Sequence, residues 1–413
     1  MVIVDDLRAL SGPQRAAFFA SLLSWSLDAF DFFLFTLVID DIAKTFHRPI
    51  PEISLAVVLT LAARPIGALL FGWLADRHGR RPIMMINVGV YSVLAAASAL
   101  APNAATLIAL RCLFGVAMGG VWGVGASLAL ESIPAKSRGV VSGILQEGYP
   151  MGYFLAALAF LASPWLGWRG MLALGILPAL LIFYVRLKVP ESPAWEANQK
   201  ALRSAARPAR QSLTSAMRGH WGMLAYAVAL MTLFNFFSHG TQDCYPTFLK
   251  VQHGFGPPLV AALTAVLNLG AIAGGFIFGP LSERLGRRRT IALAALLAVP
   301  IIPLWAFSST PLMLGAGAFL IQVAVQGAWG VVPAHLNELA PEGARGSFPG
   351  FAYQLGNLLA AANLYLQTSF ASSHDNNYGL ALAAVCGVVA VSLAVAAWFG
   401  PERKGVAFGR GGA

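Results

Sequence analysis

The sequence predicts an all-α polytopic membrane protein with twelve transmembrane helices arranged in two six-helix halves. Of its 413 residues, 57% are hydrophobic and only 11% are charged, whereas about a quarter of the residues in a soluble domain are charged. The apolar residues also fall into runs of about 20, the length that an α-helix needs to cross a bilayer. The predicted spans are 16–38, 53–74, 83–101, 104–130, 139–163, 169–189, 221–248, 258–281, 290–309, 312–338, 347–370 and 379–400.

Neither the start of the chain nor its cysteines predicts processing or a metal site. The first apolar run follows charged residues and has no clean small-residue cleavage site, so we expect a retained first span. Cys112, Cys244 and Cys386 lie in three different apolar runs, which predicts free structural thiols.

Lysine and arginine are distributed unevenly along the chain. If both termini are cytoplasmic, 22 of the 28 fall in cytoplasmic segments, four fall outside, and two, Arg64 and Arg111, fall within spans. Cytoplasmic loops carry an excess of positive charge, so this orientation is the predicted one. It also accounts for the net charge of +10 without a nucleic-acid partner.

An internal repeat with an offset of 207 residues relates the two halves. The segment GWLADRHGRR at 72–81 recurs as GPLSERLGRR at 279–288, and ESIPAKSRG at 131–139 recurs as ELAPEGARG at 338–346. Such parallel repeats are typical of alternating-access carriers. The repeat predicts an N-terminal half at 1–189, a basic cytoplasmic linker at 190–220 and a C-terminal half at 221–413.

A polar stripe runs along the seventh predicted span, within NFFSHGTQDCYPT at 235–247. Residues three, four and seven apart share a helix face, so this face carries Asn235, Ser238, His239, Gln242 and Asp243. Such a face cannot point into lipid. It lines either a wet path or a polar seam between helices, and a His and an Asp one turn apart favour the path because charge is costly in a membrane.

These motifs together resemble those of one transporter superfamily. The Gly-x-x-x-Asp-Arg-x-Gly-Arg-Arg loop, its copy and the basic linker resemble the major facilitator superfamily, and the resemblance covers the whole chain. The stripe resembles the Asn-x-x-Ser-His-x-x-Gln-Asp-x-x-x-Thr signature of Jen-type lactate/pyruvate:proton symporters, as far as Thr247. Asp28-Ala-Phe-Asp31 in the first span is similar to this group and to the related sialate:proton symporters. Gln354-Leu-Gly-Asn357 in the eleventh span resembles a pair that contacts substrate in the Jen-type group.

The resemblance implies a carrier of lactate, pyruvate or a similar acid together with a proton, and no cofactor. The fungal members have long polar tails that this chain lacks, so we expect a multi-pass protein of a bacterial inner membrane that functions as a monomer.

Candidate substrate-binding residues follow from chemistry and spacing. Arg64 lies eight residues before Gly72, which is about 12 Å along a helix and near the middle of a bilayer about 30 Å thick. Its guanidinium can hold a carboxylate bidentately, whereas for Arg111 we favour a structural or proton-linkage role. Gln354 and Asn357 could hydrogen-bond the substrate or join helices as plain amides.

The fifth predicted span offers two aromatic candidates and one unexplained acid. Tyr149 and Tyr153 lie on one helix face and could form a wall of the cavity. Glu147 departs from the Gln of the Jen-type pattern, and its role stays open.

Candidate proton-coupling residues lie on the two repeat-related spans. The resemblance implies that the first and seventh spans both line the central cavity. Asp28 and Asp31 share a helix face in the first span, and we expect them to act as proton carriers or, alternatively, as helix-packing residues or counter-ions of Arg64 or Arg111. His239 and Asp243 could hold one proton together, because imidazole titrates at about pH 6.5.

The repeated loops predict a cytoplasmic gate, in which charge pairs between the halves close the inner side. We expect Glu131 to act with Arg138 and Glu338 to act with Arg345. The predicted gating residues are Asp76, Arg77, Arg80, Glu131, Arg138, Glu283, Arg284, Arg287, Glu338 and Arg345.

The sequence therefore favours proton-coupled symport of a small monocarboxylate, with a small organic anion, a proton and the bilayer as partners. A symporter of sialate or an aromatic acid and a non-transporting sensor remain alternatives. An enzyme is not predicted, because the sequence has no nucleophile, base and orienter pattern and no metal-ligand spacing.

Overall fold

The computed structural model describes residues 7–204 and 219–408, and it is all-helical over those ranges. Residues 205–218, which belong to the predicted linker, lie outside the described residues. The helices of the N-terminal half are α1 Gly12–Leu37, α2 Ile39–Phe46, α3 Ile50–His78, α4 Arg80–Ala99, α5 Ala104–Ser132, α6 Arg138–Gln146, α7 Gly148–Phe160, α8 Ser163–Ala173 and α9 Leu180–Lys188, and α10 Pro193–Ser204 lies in the predicted linker. Those of the C-terminal half are α11 Trp221–Gln242, α12 Tyr245–Val251, α13 Pro257–Leu285, α14 Arg287–Ala306, α15 Pro311–Trp329, α16 Val332–Leu339, α17 Phe348–Ala360, α18 Asn363–Ser372 and α19 Tyr378–Phe399.

Ten helices within the described ranges are long and apolar enough to cross a membrane. The other two predicted spans, 139–163 and 347–370, each form two shorter helices, α6 and α7 in the first half and α17 and α18 in the second. Pro150 explains the first break, because a proline has no N–H to bond the carbonyl of Gln146 and its ring clashes with that carbonyl. The count of twelve spans and the cytoplasmic position of both termini stay predictions.

The two halves repeat the same internal packing. In the first half α3 lies directly on α5, where a Cβ on Gly67 would be 1.6 Å from the Val116 carbonyl oxygen. In the second half α13 lies on α15, where a Cβ on Gly274 would be 2.5 Å from the Val323 carbonyl oxygen. Both contacts need glycine, and both members are related by the offset of 207 (274 − 67 and 323 − 116).

The halves meet at the end of the molecule that carries the repeated arginine-rich loops, which we call the basic end. A Cβ on Gly72 of α3 would be 2.4 Å from the Ser347 Cα and 2.7 Å from the Gly346 carbonyl oxygen. A Cβ on Gly139 of α6 would be 2.5 Å from the Gly279 carbonyl oxygen. The glycine pairs Gly72–Gly346 and Gly139–Gly279 are again repeat-related, so the interface has approximate two-fold symmetry. Backbone of one half therefore touches backbone of the other at this end, in the part of the chain that the structure describes.

Candidate substrate-binding cavity and gate

A cavity of about 440 Å³ lies between the two halves. It is accessible from the end opposite the basic end, because the side chains of His239 and Asp243, which line it, are 40% and 38% exposed while the halves are in contact below it. The N-terminal half contributes Arg64 and an aromatic wall, and the C-terminal half contributes mainly amides and hydroxyls. The polar lining residues of the C-terminal half are Asn235, Ser238, His239, Gln242, Asp243, Thr264, Asn268, Gln326 and Asn357.

Arg64 is the cation of the cavity in the described part of the chain. Its side chain lines the cavity although the residue is only 2% exposed. The terminal nitrogen Nη2 lies 4.0 Å from Asp28 Oδ2, and this nitrogen and Nε are buried without a hydrogen-bond partner among residues 7–204 and 219–408. Arg64 thus keeps donors that its own neighbours do not use.

The first span lines the cavity, but Asp28 and Asp31 do not, and their role in proton coupling stays a prediction. Both are buried, and neither is part of the cavity wall. Helix α1 turns Phe32 and Phe33 toward the cavity instead. Asp28 faces Arg64, and Asp31 faces the interior of the first half, where its Oδ1 would be 3.0 Å from a Cβ on Gly175.

Arg111 also lies inside the first half. Its guanidinium stacks on the rings of Phe35 and Phe114, at 4.5 and 3.9 Å from their centroids, and it is within electrostatic reach of Asp28 and Asp31. Arg111 thus lies away from the cavity wall, and its structural or proton-linkage role stays a prediction.

The His239 ring is held between two oxygen atoms. Its Nδ1 is 3.1 Å from Asp243 Oδ2 and its Nε2 is 3.2 Å from Asn357 Oδ1. An imidazolium satisfies both contacts by donating twice, whereas a neutral ring satisfies both only if the Asn357 amide is turned over to donate. The arrangement can therefore hold a proton at the cavity surface, where water reaches it.

The rest of the polar stripe is tied into the second half by hydrogen bonds. Gln242 donates to Gln322 Oε1 at 3.0 Å, and Gln322 donates to Thr241 Oγ1 at 3.0 Å. Asn235 donates to the Met231 carbonyl at 2.7 Å within its own helix. The stripe is consequently both a cavity wall and a seam between helices, so the two readings of the sequence are not exclusive.

Gln354 and Asn357, the pair in the eleventh predicted span, lie in different environments. Asn357 lines the cavity, but Gln354 does not. Gln354 lies one turn from Gly350, whose backbone packs on Gly123 of the first half, so the helix turns it into the interface between the halves. It is buried there, and its amide atoms have no hydrogen-bond partner within the described residues.

Aromatic side chains form the wall and the floor of the cavity. Tyr149 and Tyr153 line it as expected and pack on Phe33, with ring centroids 5.2 and 4.4 Å apart. Below them, Tyr353 contacts Trp122 at 4.9 Å and Trp329 at 5.5 Å. The sequence analysis did not predict Tyr353 or Trp329 as site residues. The offset of 207 also relates Trp122 to Trp329 (329 − 122), and this was a signal for Trp329.

Each half has a buried ion pair at the basic end. Arg80 binds Glu131 through two hydrogen bonds of 2.9 and 3.1 Å, and Arg287 binds Glu338 in the same way at 3.0 and 3.1 Å. The predicted pairing of Glu131 with Arg138 and of Glu338 with Arg345 is therefore wrong within each half. The guanidinium fork at the start of α4 and α14 reaches both carboxylate oxygens, which gives the better geometry.

Other groups connect the halves across the basic end. Asp76 accepts hydrogen bonds from the backbone N–H groups of Gly346 and Ser347 at 2.6 and 3.0 Å. In the repeat-related position, Glu283 accepts one from the Gly139 N–H. Arg138 lies 3.8 Å from Glu338 of the other half.

Two predicted gating residues are not part of these connections. Arg77 is exposed and lies over the ring of Trp73 in its own helix, at 5.5 Å from the centroid. Arg284 is likewise exposed at the surface. Arg77 directly follows Asp76, and Arg284 directly follows Glu283. Consecutive residues of a helix point in different directions, so when the acid faces the other half, the arginine after it points outward.

The chain after α19 lies across the basic end. Arg138 donates to the Val406 carbonyl at 2.7 Å. The Phe408 ring is placed between the guanidinium groups of Arg138 and Arg345, at 3.5 and 4.3 Å. These two arginines belong to different halves, so the tail connects the halves in addition to the loops.

Comparison with known proteins identifies the family. The family model described as the Major Facilitator Superfamily matches residues 17–363 and 233–413. A carboxylic acid transporter protein homolog of Saccharomyces cerevisiae is 30% identical over 393 residues, which are 90% of this chain and 64% of the yeast protein. The Escherichia coli sialic acid transporter NanX is 27% identical over 354 residues, 84% of this chain and 85% of NanX.

A solved structure has the same fold. The proton:xylose symporter XylE matches with a TM-score of 0.75 at 18% identity, over 96% of this chain and 98% of that one. The family model and the curated relatives identify a multi-pass membrane transporter rather than an enzyme. The chain belongs to the major facilitator superfamily.

Proposed function

We propose that this chain carries a small monocarboxylate, such as lactate or pyruvate, together with a proton across a bacterial inner membrane. The observation that carries the proposal is the pairing, in one cavity, of a buried guanidinium at Arg64 with an imidazole–carboxylate couple at His239 and Asp243. The carboxylic acid transporter homolog of yeast adds support from outside the structure, although this chain spans only 64% of its length.

The substrate anion binds to Arg64 in this proposal. The guanidinium of Arg64, which lines the cavity, binds the carboxylate, and a charge-assisted pair of this kind is strong and directional. Asn357 and the amide of Asn235 can hydrogen-bond a hydroxyl or keto oxygen, and Tyr149 and Tyr153 close the aromatic side. Gln354 lies in the interface behind the cavity and does not contact the substrate in this conformation.

The proton binds to the His239–Asp243 couple. The couple is within electrostatic reach of Arg64, so a bound anion compensates the repulsion between imidazolium and guanidinium and makes protonation easier. Binding of the anion and of the proton therefore support each other. One proton with one monocarboxylate moves no net charge, which makes the symport electroneutral.

Alternating access follows from rocking of the two halves around the cavity. With the basic end in the cytoplasm, the described conformation is open to the outside and closed on the inside. Asp76 and Glu283 hold the inner side closed through the backbone of the other half, while Arg80, Glu131, Arg287 and Glu338 fix the loop ends within each half. Asp28 and Asp31 neutralise Arg64 and Arg111 from behind. A single chain contains the whole cavity, so a monomer suffices.

The test is uptake of labelled lactate by the purified chain in liposomes with an inward pH gradient. We expect accumulation that a proton ionophore abolishes, and counterflow at equal pH on both sides. His239→Gln and Asp243→Asn are expected to lose the accumulation. Uptake that is unchanged in both variants, or binding without counterflow, would contradict the proposal.

A larger organic acid is the second candidate. The volume of about 440 Å³ and the aromatic wall of Phe33, Tyr149 and Tyr153 offer room and stacking surface beyond what lactate needs. The similarity to the sialic acid transporter NanX points the same way. A competition panel of acids, ordered by size and aromatic character, separates the two: inhibition by lactate and pyruvate favours the first candidate, and inhibition by sialate or aromatic acids alone favours the second.

A further inference from the structure

Glu147 is a buried acid that the proposed transport mechanism does not use. It lies at the break between α6 and α7 and is 8% exposed. Neither of its carboxyl oxygens has a hydrogen-bond partner among residues 7–204 and 219–408. An ionised carboxylate without a partner is strongly disfavoured in apolar surroundings, so the carboxyl carries a proton in this conformation.

The carboxyl lies in the interface between the two halves. Its Oε1 would be 2.2 Å from a Cβ on Gly275 of α13, and Gly143, one turn before Glu147, packs on the same glycine. Ala271, one turn before Gly275, lines the cavity. Glu147 is therefore placed just below the cavity, at the point where α6 and α13 must part if the basic end opens.

The repeat-related position in the other half shows what this interface accommodates. The offset maps Glu147 onto Gln354 (354 − 147 = 207). Gln354 is also buried between the halves, and its amide atoms likewise have no partner in the described part of the chain. Glutamine has the shape of a protonated glutamic acid, so both positions fit a neutral side chain of this size.

Ionisable groups on the surrounding helices do not engage Glu147. Tyr149 packs on Trp25, and the cavity groups are turned toward the space above. At the basic end, the charged groups bind one another. Neither Glu147 oxygen has a hydrogen-bond partner among the described residues, so no ion pair or hydrogen bond joins it to a neighbouring titratable or charged group. Those groups on the helices around it are Asp28, Asp31, Arg64, Arg111, Glu131, Arg138, Tyr149, Tyr153, His239, Asp243, Glu283, Arg284, Arg287, His335 and Glu338.

We infer that Glu147 is a second proton-binding site, which binds a proton as the halves close at the basic end and releases it as they part. On opening, the carboxyl meets water and ionises; on closing, the carboxylate takes up one proton from the solution on the basic side before it is buried. The inference rests on the proposed alternating access but not on which acid is carried. A low pH on the basic side therefore holds the transporter closed at that end, independently of the proton at His239.

The experiment measures the opening of the basic end as a function of pH without substrate. The full chain, with its three cysteines replaced by alanine, carries spin labels at His78→Cys and Leu285→Cys, which are exposed and belong to different halves. Pulsed electron resonance in liposomes then gives the distribution of distances between the labels from pH 5 to pH 9. We expect the ratio of short to long distances to fall with rising pH by up to about tenfold per unit, the limit for one linked proton.

Glu147→Gln is the decisive variant. We expect it to keep the short distance at every pH, because its side chain is always neutral, whereas Glu147→Asp keeps a pH response with a displaced midpoint. Glu196→Gln makes the same chemical change on an exposed helix at the basic end and is expected to behave as the parent does. Glu147→Gln with the pH response of the parent would overturn the inference.

The two proposals fail separately. If the labelled chain shows the response that depends on Glu147 but no acid is transported, the function proposed above is wrong and this inference stands. If lactate uptake depends on His239 but the label distances of Glu147→Gln and the parent change equally with pH, the function stands and this inference is wrong.

Discussion

Replacing Arg64 by lysine separates anion binding from folding. Lysine keeps a positive charge opposite Asp28, from which the guanidinium is 4.0 Å away, so the buried acid keeps its counter-ion. Removing the charge altogether would leave Asp28 unpaired, which costs about 3–5 kcal/mol of stability. Lysine loses only the rigid fork of donors that holds a carboxylate with two parallel bonds.

The expected effect on transport follows from the bond that is lost. A hydrogen bond to a charged group contributes about 1.5–3 kcal/mol, and about 1.4 kcal/mol corresponds to a factor of ten. Arg64→Lys should therefore raise the KM for the substrate acid by about 10- to 150-fold, while the amount of folded protein in the membrane stays close to that of the parent.

The assay is concentration-dependent counterflow in liposomes at equal pH on both sides, which needs no proton gradient. The double variant Arg64→Gln/Asp28→Asn removes both charges without leaving either unpaired, and we expect it to fold but not to bind the acid. Arg48→Lys, on an exposed arginine that pairs with Glu52 at 3.7 Å, is the matched control. An unchanged KM in Arg64→Lys together with binding by the double variant would refute the assignment of Arg64 as the anion site.

Three further predictions concern the proton couple and the gate. His239→Gln and Asp243→Asn should reduce the accumulation of acid under a pH gradient of one unit from about tenfold, the limit for one proton per acid, to about one, while counterflow persists. Phe408→Ala removes two cation–π contacts, each contributing about 0.5–1 kcal/mol. It should increase, several-fold, the labelling of a cysteine introduced at the contact between the halves at the basic end, because that contact opens more often. Gly143→Ala places a Cβ 2.4 Å from the Gly275 carbonyl oxygen and should prevent closure of the basic end, which is measured by the same labelling and by loss of uptake.

Controls for these variants come from the same chain. Gly222→Ala adds a Cβ where no atom lies within 4 Å and should leave labelling and uptake unchanged. Phe307→Ala removes an exposed phenyl ring and is the control for Phe408→Ala. Labelling of Gly143→Ala at the level of the parent would contradict the close-packed interface, and full accumulation by His239→Gln would contradict the proton couple.

Local patterns in the sequence were sufficient for the outline of this protein. Runs of apolar residues predicted the helices, because a bilayer selects for length and hydropathy, which are local properties. The offset of 207 predicted two equivalent halves, and the structure has the same glycine contacts in both. The polar stripe from Asn235 to Asp243 could be predicted because its residues lie on one face of a single helix.

Partners between helices could not be predicted in this way. Glu131 was expected to pair with Arg138, seven residues on, but it binds Arg80, 51 residues away, because only that arginine is aimed at both oxygens once α4 and α5 pack. The first span was expected to line the cavity, but its sequence did not show which face does so: the rotation of α1 places Phe32 and Phe33 there and turns Asp31 inward.

By itself, the sequence determined a helical membrane protein of two repeated halves with a polar, ionisable helix face in the second. Only the tertiary structure decided which of those ionisable groups share the cavity, that Asp28 lies behind Arg64, and that Glu147 is enclosed between the halves against Gly275. The physical reason is that hydropathy and helical period act within one segment, whereas the environment of a charge depends on which distant helices pack around it.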